Sequence, residues 1–122
     1  MVKLVELDPQ VTVFQQMEED GGPVILINKL DVSAEDVDQF LAAWRADANI
    51  MKRQPGFIST QLHRGIGRST VFLNYAVWES AAHFKRAFGN PEFQSKLKDY
   101  PSSAVASPHL FRKMAVDGIC VA

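Results

Sequence analysis

The chain has 122 residues and a mass of 13.6 kDa, which leaves room for one domain. Its composition, 47% apolar and 22% charged, is typical of globular proteins and excludes a disordered acidic tail, a collagen-like repeat and a disulfide-stapled miniprotein. A formal net charge of -1 lacks the basic excess that nucleic-acid binding requires, so we expect no nucleic-acid partner.

The sequence also predicts no membrane partner, because no uninterrupted apolar run approaches the ~20 residues that a membrane span needs. Acidic residues occur early, at Glu6 and Asp8, where a signal peptide has its apolar core. The single cysteine, Cys120, cannot form an internal disulfide. These features together predict a cytoplasmic protein.

Residues 1–23 are predicted to form an N-terminal arm, followed by one domain over residues 24–122. The arm contains a short β-like stretch, Val11–Phe14, and then the acidic cluster Glu18–Asp20, for which a solvated loop is the simplest interpretation. The residues Gly21-Gly22-Pro23 break the chain before the domain begins.

The first part of the domain alternates strands and one helix. Val24–Leu30 is rich in β-branched residues and predicts a strand. Ser33 is a favourable N-cap for a helix over residues 34–53, whose apolar residues recur at helical spacing and predict one buried face. Phe57–Arg64 and Thr70–Trp78 are then predicted to pair as a hairpin.

The second part predicts another helix and a final strand. Ser80 begins this helix, and Asn90 with Pro91 starts a short one. A loop follows, and the last strand is predicted over Leu110–Val116. The order strand, helix, strand, strand, helix, strand is typical of an α+β ferredoxin-like fold, an antiparallel sheet with both helices on one face.

The third strand is apolar on both faces, although the helices cover only one. Its alternate residues point in opposite directions, Val71, Leu73, Tyr75 and Val77 to one side and Phe72, Asn74, Ala76 and Trp78 to the other. An antiparallel sheet with one solvated face normally alternates apolar and polar residues. The pattern therefore predicts a homodimer that closes through the two sheets.

Three segments together resemble the antibiotic biosynthesis monooxygenase family. They are Ile27–Leu30, the sequence Gln54-Pro55-Gly56-Phe57, and Asn74–Ser80 with Phe84 after it. The resemblance extends over about residues 24–117 and implies a dimeric α+β barrel. It also implies an oxygenase without a cofactor, which oxidises a small anthrone- or quinone-type aromatic with O₂. One branch of the same family binds and degrades haem.

The resemblance implies catalytic roles for Asn74 and Trp78, which match in type and spacing a pair that lines the family's pocket. A four-residue offset on a strand places both side chains on one face, about 13 Å apart. The Asn amide donates to a phenolate or oxyanion in this interpretation, and Trp supplies an aromatic wall. The alternatives are a core Trp and an Asn that makes only a structural hydrogen bond.

Further substrate-binding residues are predicted to be Asn28, His63 at the pocket mouth, Phe84 and Phe88. Phe84 stands where the family's polyketide oxygenases have a Tyr. Ala87 and Leu97 stand where the haem-degrading branch has a Trp and an axial His, which disfavours haem degradation. The histidines show no metal-binding spacing, so we expect no metal. The resemblance implies that no cofactor is used.

Four other residues are further candidates. His83 is predicted to lie on the surface, and His109 at the start of the last strand remains open between site and surface. Arg112 is a candidate for pairing with an acid across the dimer, and Cys120 in the tail is a weak nucleophile candidate. The sequence thus favours a homodimeric, cofactor-independent monooxygenase for a small aromatic substrate. The alternative is a non-catalytic small-molecule-binding or protective dimer on the same fold, with haem degradation third.

Overall fold

The computed structural model describes all residues from Met1 to Ala122. In chain order its elements are β1 (Lys3–Leu4), α1 (Val13–Gln16), β2 (Val24–Asp31), a 3₁₀ turn (Ala34–Asp36), α2 (Val37–Met51), β3 (Phe57–Arg64), β4 (Val71–Trp78), α3 (Ala81–Phe88), α4 (Pro91–Lys96), a second 3₁₀ turn (Leu97–Asp99) and β5 (Val105–Phe111).

The strands form one five-stranded sheet in the order β1-β5-β2-β4-β3. Strands β5, β2, β4 and β3 are antiparallel to their neighbours, and only the two-residue β1 runs parallel to β5. Alternate residues of the central strands, such as Leu26 and Phe72, are buried beneath the helices. The predicted α+β fold, with the helices on one face of the sheet, is confirmed.

Local capping explains where the helices begin. The hydroxyl of Ser80 accepts a hydrogen bond from the His83 amide at 3.1 Å, and Asn90 Oδ1 accepts one from the Glu92 amide at 2.8 Å, as predicted. Ser33 lies at the predicted position, but its side chain makes no capping bond. The preceding 3₁₀ turn is instead held by the Ser103 hydroxyl, which donates to Asp36 at 2.7 Å.

The prediction of a β-like stretch at Val11–Phe14 was wrong, because Thr12 is the N-cap of α1 and Val13 and Phe14 form its first turn. Thr12 and Gln15 form a capping box, in which the Thr12 hydroxyl accepts from the Gln15 amide and Gln15 Oε1 accepts from the Thr12 amide. A four-residue stretch is too short for strand alternation to decide its structure, so the reciprocal capping bonds dominate.

The last strand was predicted too late in the chain, since β5 ends at Phe111 and continues through Pro108. Gln16 explains how a proline fits there. Its side-chain amide donates to the Leu110 carbonyl at 2.9 Å and accepts from the Leu110 amide at 2.8 Å, so Leu110 turns its backbone away from β2. Pro108, two residues earlier, turns the same way, and its missing N–H removes no bond to β2.

The segment 1–23, predicted as an arm, packs against the rest of the chain. Strand β1 pairs with β5, and Val13 and Met17 are 0% and 5% exposed in the same core cluster as Trp78. Among the helices, none has both the length and the hydrophobicity required to cross a bilayer.

Candidate functional site

A cavity of about 200 Å³ lies between the sheet and the helices. Side chains from two core clusters line it, one around Trp78 and Phe84 and the other around Leu30 and Tyr100. Most of the lining is apolar, and the polar side chains that reach it are Asn28, Asp47, Thr60, Asn74 and Tyr100, with the indole of Trp78 and Trp44. An apolar cavity with a few placed polar groups is typical of a small-molecule site.

Asn28 and Asn74 face each other on the sheet floor of this cavity, because they are direct partners in the β2–β4 register. The Thr60 hydroxyl donates to Asn74 Oδ1 at 2.5 Å, so the group that Asn74 can offer to a ligand is its Nδ2 amino group. Asn28 Oδ1 is buried and has no hydrogen-bond partner in the protein. The floor therefore carries two amide side chains, of which Asn74 is held by Thr60 and Asn28 has a buried Oδ1 without a partner.

The Asn28 amide can take part in ligand binding, because an amide carries both a donor and an acceptor. A buried acceptor without a partner costs about 1–3 kcal/mol, and a rotation of the Asn28 side chain towards a ligand hydroxyl would remove that cost. Together, Asn28 and Asn74 suit a molecule that carries both a hydroxyl and a carbonyl or phenolate oxygen.

Aromatic side chains form one wall of the cavity. Trp78, 2% exposed, packs edge-to-face against Phe57 at 5.4 Å and Phe84 at 5.8 Å between ring centroids. Phe88 continues the chain of rings, 5.9 Å from Phe84 and 5.7 Å from Phe93. All five line the cavity, so Trp78 belongs at once to the core and to the site, and a flat aromatic ligand would contact this wall.

An acid and a phenol are hydrogen-bonded on the opposite wall. Asp47 on α2 accepts a hydrogen bond from the Tyr100 hydroxyl through Oδ2, and both line the cavity. Burial raises the pKa of Asp47 from 3.8 to about 6, while the hydrogen bond from Tyr100 limits the rise. Burial, and secondly the charge of Asp47, raises the pKa of Tyr100 far above its usual range.

The N-terminal segment closes part of the cavity. Met1, Val2 and Leu4 belong to its lining. The Met1 ammonium group donates to the Tyr100 carbonyl at 2.9 Å, and the Val2 amide donates to the Leu97 carbonyl at 3.2 Å. Residues predicted to lie outside the domain thus contribute a wall of the site.

Five of the six predicted site residues come together in this cavity: Asn28, Asn74, Trp78, Phe84 and Phe88. His63 does not. Because Thr60 and Leu62 point towards the helices, His63 lies on the outer face of the sheet, where its Nδ1 is 3.3 Å from the Leu73 carbonyl. The expected position at the pocket mouth is corrected accordingly.

The other candidates also lie away from the cavity. His83 Nδ1 is 2.7 Å from the Ser80 hydroxyl, and His109 Nε2 on the outer face is 3.1 Å from Gln16 Nε2. Arg112 donates to the Asp20 carbonyl at 2.7 Å within its own chain, and Cys120 is exposed. No three His, Cys, Asp or Glu side chains converge in a geometry that could hold a metal ion.

Sequence reasoning missed Asp47, Thr60 and Tyr100. A signal existed for Asp47, which lies three residues after Trp44 and one before Ala48, inside the apolar stripe of α2 that faces the cavity. Thr60 and Tyr100 carried no comparable signal, because their roles depend on contacts made between distant parts of the chain.

Comparison with known proteins gives consistent results. Residues 23–97 match the family model described as antibiotic biosynthesis monooxygenase. Deoxynogalonate monooxygenase of Streptomyces nogalater is 30% identical over 74 residues, which span 61% of this chain and 62% of that protein.

Two crystal structures share the fold. SnoaB, a cofactor-independent oxygenase from Streptomyces nogalater, has a TM-score of 0.69 and 22% identity, over 80% of this chain and 99% of its own. A candidate monooxygenase from Shewanella loihica PV-4 has a TM-score of 0.68 and 31% identity, over 80% of this chain and 100% of its own.

Proposed function

The chain belongs to the antibiotic biosynthesis monooxygenase family, and from that premise we propose that it is a cofactor-independent monooxygenase that oxidises a compact phenolic aromatic, of the anthrone or quinone-precursor type, with O₂. The observation that carries the proposal is the pair Asn28 and Asn74, side by side on the floor of an apolar cavity walled by Trp78. The relatives named as cofactor-independent oxygenase and as deoxynogalonate monooxygenase support the reaction class.

In the proposed reaction the substrate supplies all the electrons. Its ionised form transfers them to O₂ directly, a methylene carbon becomes a carbonyl, and the second oxygen atom leaves as water. The amino group of Asn74 donates to the substrate oxyanion, Asn28 Oδ1 accepts from a substrate hydroxyl, and Trp78 packs against the ring system. The protein contributes orientation and charge stabilisation, which are large terms when the donors are fixed in advance.

The cavity residues do not suit haem. The protein has three histidines, and none of them lines the cavity. Leu97, at the position where the haem-degrading branch has its axial ligand, lines the cavity with an apolar side chain, and Ala87 is 1% exposed. Haem degradation is therefore not part of the proposal.

The second candidate function is a small-molecule-binding or protective protein without catalysis. Phe84 favours it, because this position lacks the phenol that the polyketide oxygenases use there. Both candidates predict binding of phenolic aromatics, and only the enzyme consumes O₂. The deciding experiment measures O₂ uptake with a panel of one-, two- and three-ring phenols and anthrones. Binding without uptake above the uncatalysed rate would reject the monooxygenase.

We also propose that the protein acts as a cytoplasmic homodimer. The outer face of the sheet carries Val71 and Tyr75, each 38% exposed, beside Leu73 and Val77. No element of the chain covers this apolar face, and a second copy would bury it. Light scattering at micromolar concentration should give twice the chain mass, and Leu73→Asp should shift it towards the monomer. A monodisperse wild-type monomer would reject the dimer.

A further inference from the structure

Asp47 is the one acidic side chain that lines the cavity. It lies on the cavity face of α2 among Trp44, Ala48 and Met51, where burial of a carboxylate is unfavourable. Its neighbours supply little compensation, since only the Tyr100 hydroxyl donates to it, and that bond is made to Oδ2. No group of the protein donates to Oδ1, so this oxygen is available to a ligand.

The amide groups and the carboxylate of the cavity lie on opposite walls. Asn28 and Asn74 lie on the sheet, and Asp47 lies on the helix that covers the sheet. We propose that Asp47 is the proton acceptor of the oxidation, and that its Oδ1 removes the acidic proton of the bound phenol or anthrone. This inference rests on the proposed function, because it assigns the step that generates the oxygen-reactive form of the substrate.

The step balances as a proton transfer. A C–H or O–H bond of the substrate breaks, its electron pair stays on the substrate as an enolate or phenolate, and the proton moves to Asp47. The new negative charge is stabilised by the Asn74 amino group, while Asp47 becomes a neutral acid that still accepts from Tyr100. When O₂ has taken up the electrons, the proton leaves with the oxygen that departs as water, and the carboxylate is restored.

The acid–base properties of the pair fit this role. A pKa of about 6 keeps Asp47 mostly ionised at neutral pH and makes it a stronger base than an exposed carboxylate. Tyr100, whose pKa burial and the charge of Asp47 raise, stays protonated and remains a donor. It orients Asp47 and does not compete for the proton.

Few other charges face Asp47. Besides Tyr100, the only other residue of the cavity lining with a titratable group is Met1, whose α-amino group donates to the Tyr100 carbonyl. Helix α4 and the turn after it pack against α2 with Phe93 and Leu97 towards the cavity. Their charged residues do not line the cavity; they are Glu92, Lys96, Lys98 and Asp99.

The test follows proton removal without oxidation. A dihydroxyanthrone is incubated anaerobically in D₂O with wild type, Asp47→Asn, Tyr100→Phe and Asp38→Asn, and deuterium incorporation at its methylene carbon is measured. Asp38 is the matched control, an exposed acid on the same helix. Wild type and Asp38→Asn should accelerate exchange equally, and Asp47→Asn should lose about 10²–10⁴-fold of the acceleration.

The pH profile separates a catalytic from a structural role. Exchange by wild type should fall as the pH drops through about 6. In Tyr100→Phe this fall should occur at higher pH, because the hydrogen bond that lowers the pKa of Asp47 is gone. In Asp47→Asn the remaining exchange should show no fall in rate over this pH range. If Tyr100 had only a structural role, Tyr100→Phe would lower the exchange rate without changing the pH at which the rate falls. Thermal melting of each variant confirms folding.

The outcomes distinguish this inference from the proposed function. Exchange that depends on Asp47, with no O₂ uptake in air, would support the proton acceptor and reject the monooxygenase. The assignment of Asp47 as proton acceptor would be overturned if the protein consumed O₂ but Asp47→Asn left the exchange rate unchanged. It would also be overturned if Tyr100→Phe left unchanged the pH at which the exchange rate falls. No accelerated exchange by wild type would also overturn it.

Discussion

Replacing Asp47 by Asn should stabilise the folded protein at pH 8. Burial raises the pKa of this carboxyl from 3.8 to about 6, so the folded state binds the proton more tightly than the unfolded state. Stability is then lost as the pH rises from about 4 to about 6 and stays lost above that range. At about 1.4 kcal/mol per pKa unit, the ionised carboxylate costs the folded state about 3 kcal/mol.

Urea unfolding at pH 4 and pH 8 tests this value. The advantage of Asp47→Asn over wild type should be larger by about 2–3 kcal/mol at pH 8, because at pH 4 the folded wild type is already neutral at this position. The added amide N–H₂ finds no acceptor among the hydrogen bonds of this site and costs about 1 kcal/mol, equally at both pH values. Asp38→Asn, on the exposed side of the same helix, should show no such pH dependence. An advantage of Asp47→Asn that is equal at both pH values would refute the reasoning.

Three further predictions concern the site. Asn74→Ala should lower O₂ uptake by about 10²–10³-fold. Thr60→Val should lower it less, because it removes only the bond that orients the Asn74 amide. If Asn74→Ala had wild-type activity and a lower melting temperature, Asn74 would be structural. Trp78→Phe should retain more activity than Trp78→Ala, because Phe keeps the ring contact and loses only the indole N–H. Measured kcat and KM values of the two variants test this. Added haem should give no stoichiometric, histidine-ligated Soret band, since the cavity offers Leu97 where an imidazole is needed; a band abolished by mutating one histidine would contradict this.

The fold was largely predictable because its signals are local. Caps at Ser80 and Asn90 and the alternation of Val71–Trp78 depend on neighbours in sequence, and each prediction agrees with the structure to within a residue or two. The errors in the predicted elements occur where a contact with a residue distant in sequence determines the local structure. Pro108 indicates a loop locally, but its backbone nitrogen faces away from β2, on the edge where Gln16 bonds Leu110 two residues later, so no bond to β2 is lost.

The site residues, too, were predictable only where a local pattern places them. Asn28 and Asn74 could be placed in one pocket because strand periodicity and the family resemblance agree. His63 was misplaced since it follows Leu62 by one residue, and a shift of one residue on a strand moves a side chain to the opposite face.

Tyr100 connects the parts of the site that no local pattern reveals. Its hydroxyl donates to Asp47 and its carbonyl accepts from the Met1 ammonium group, so α2, the loop before β5 and the N-terminal segment meet at this residue. Each contact joins positions more than fifty residues apart. The hydrogen bond favours the ionised carboxylate in an apolar cavity, and the N-terminal segment forms part of the cavity wall. The orientation of the carboxylate and the docking of the N-terminal segment on the cavity therefore depend on the same residue, although the sequence around Tyr100 resembles an ordinary loop.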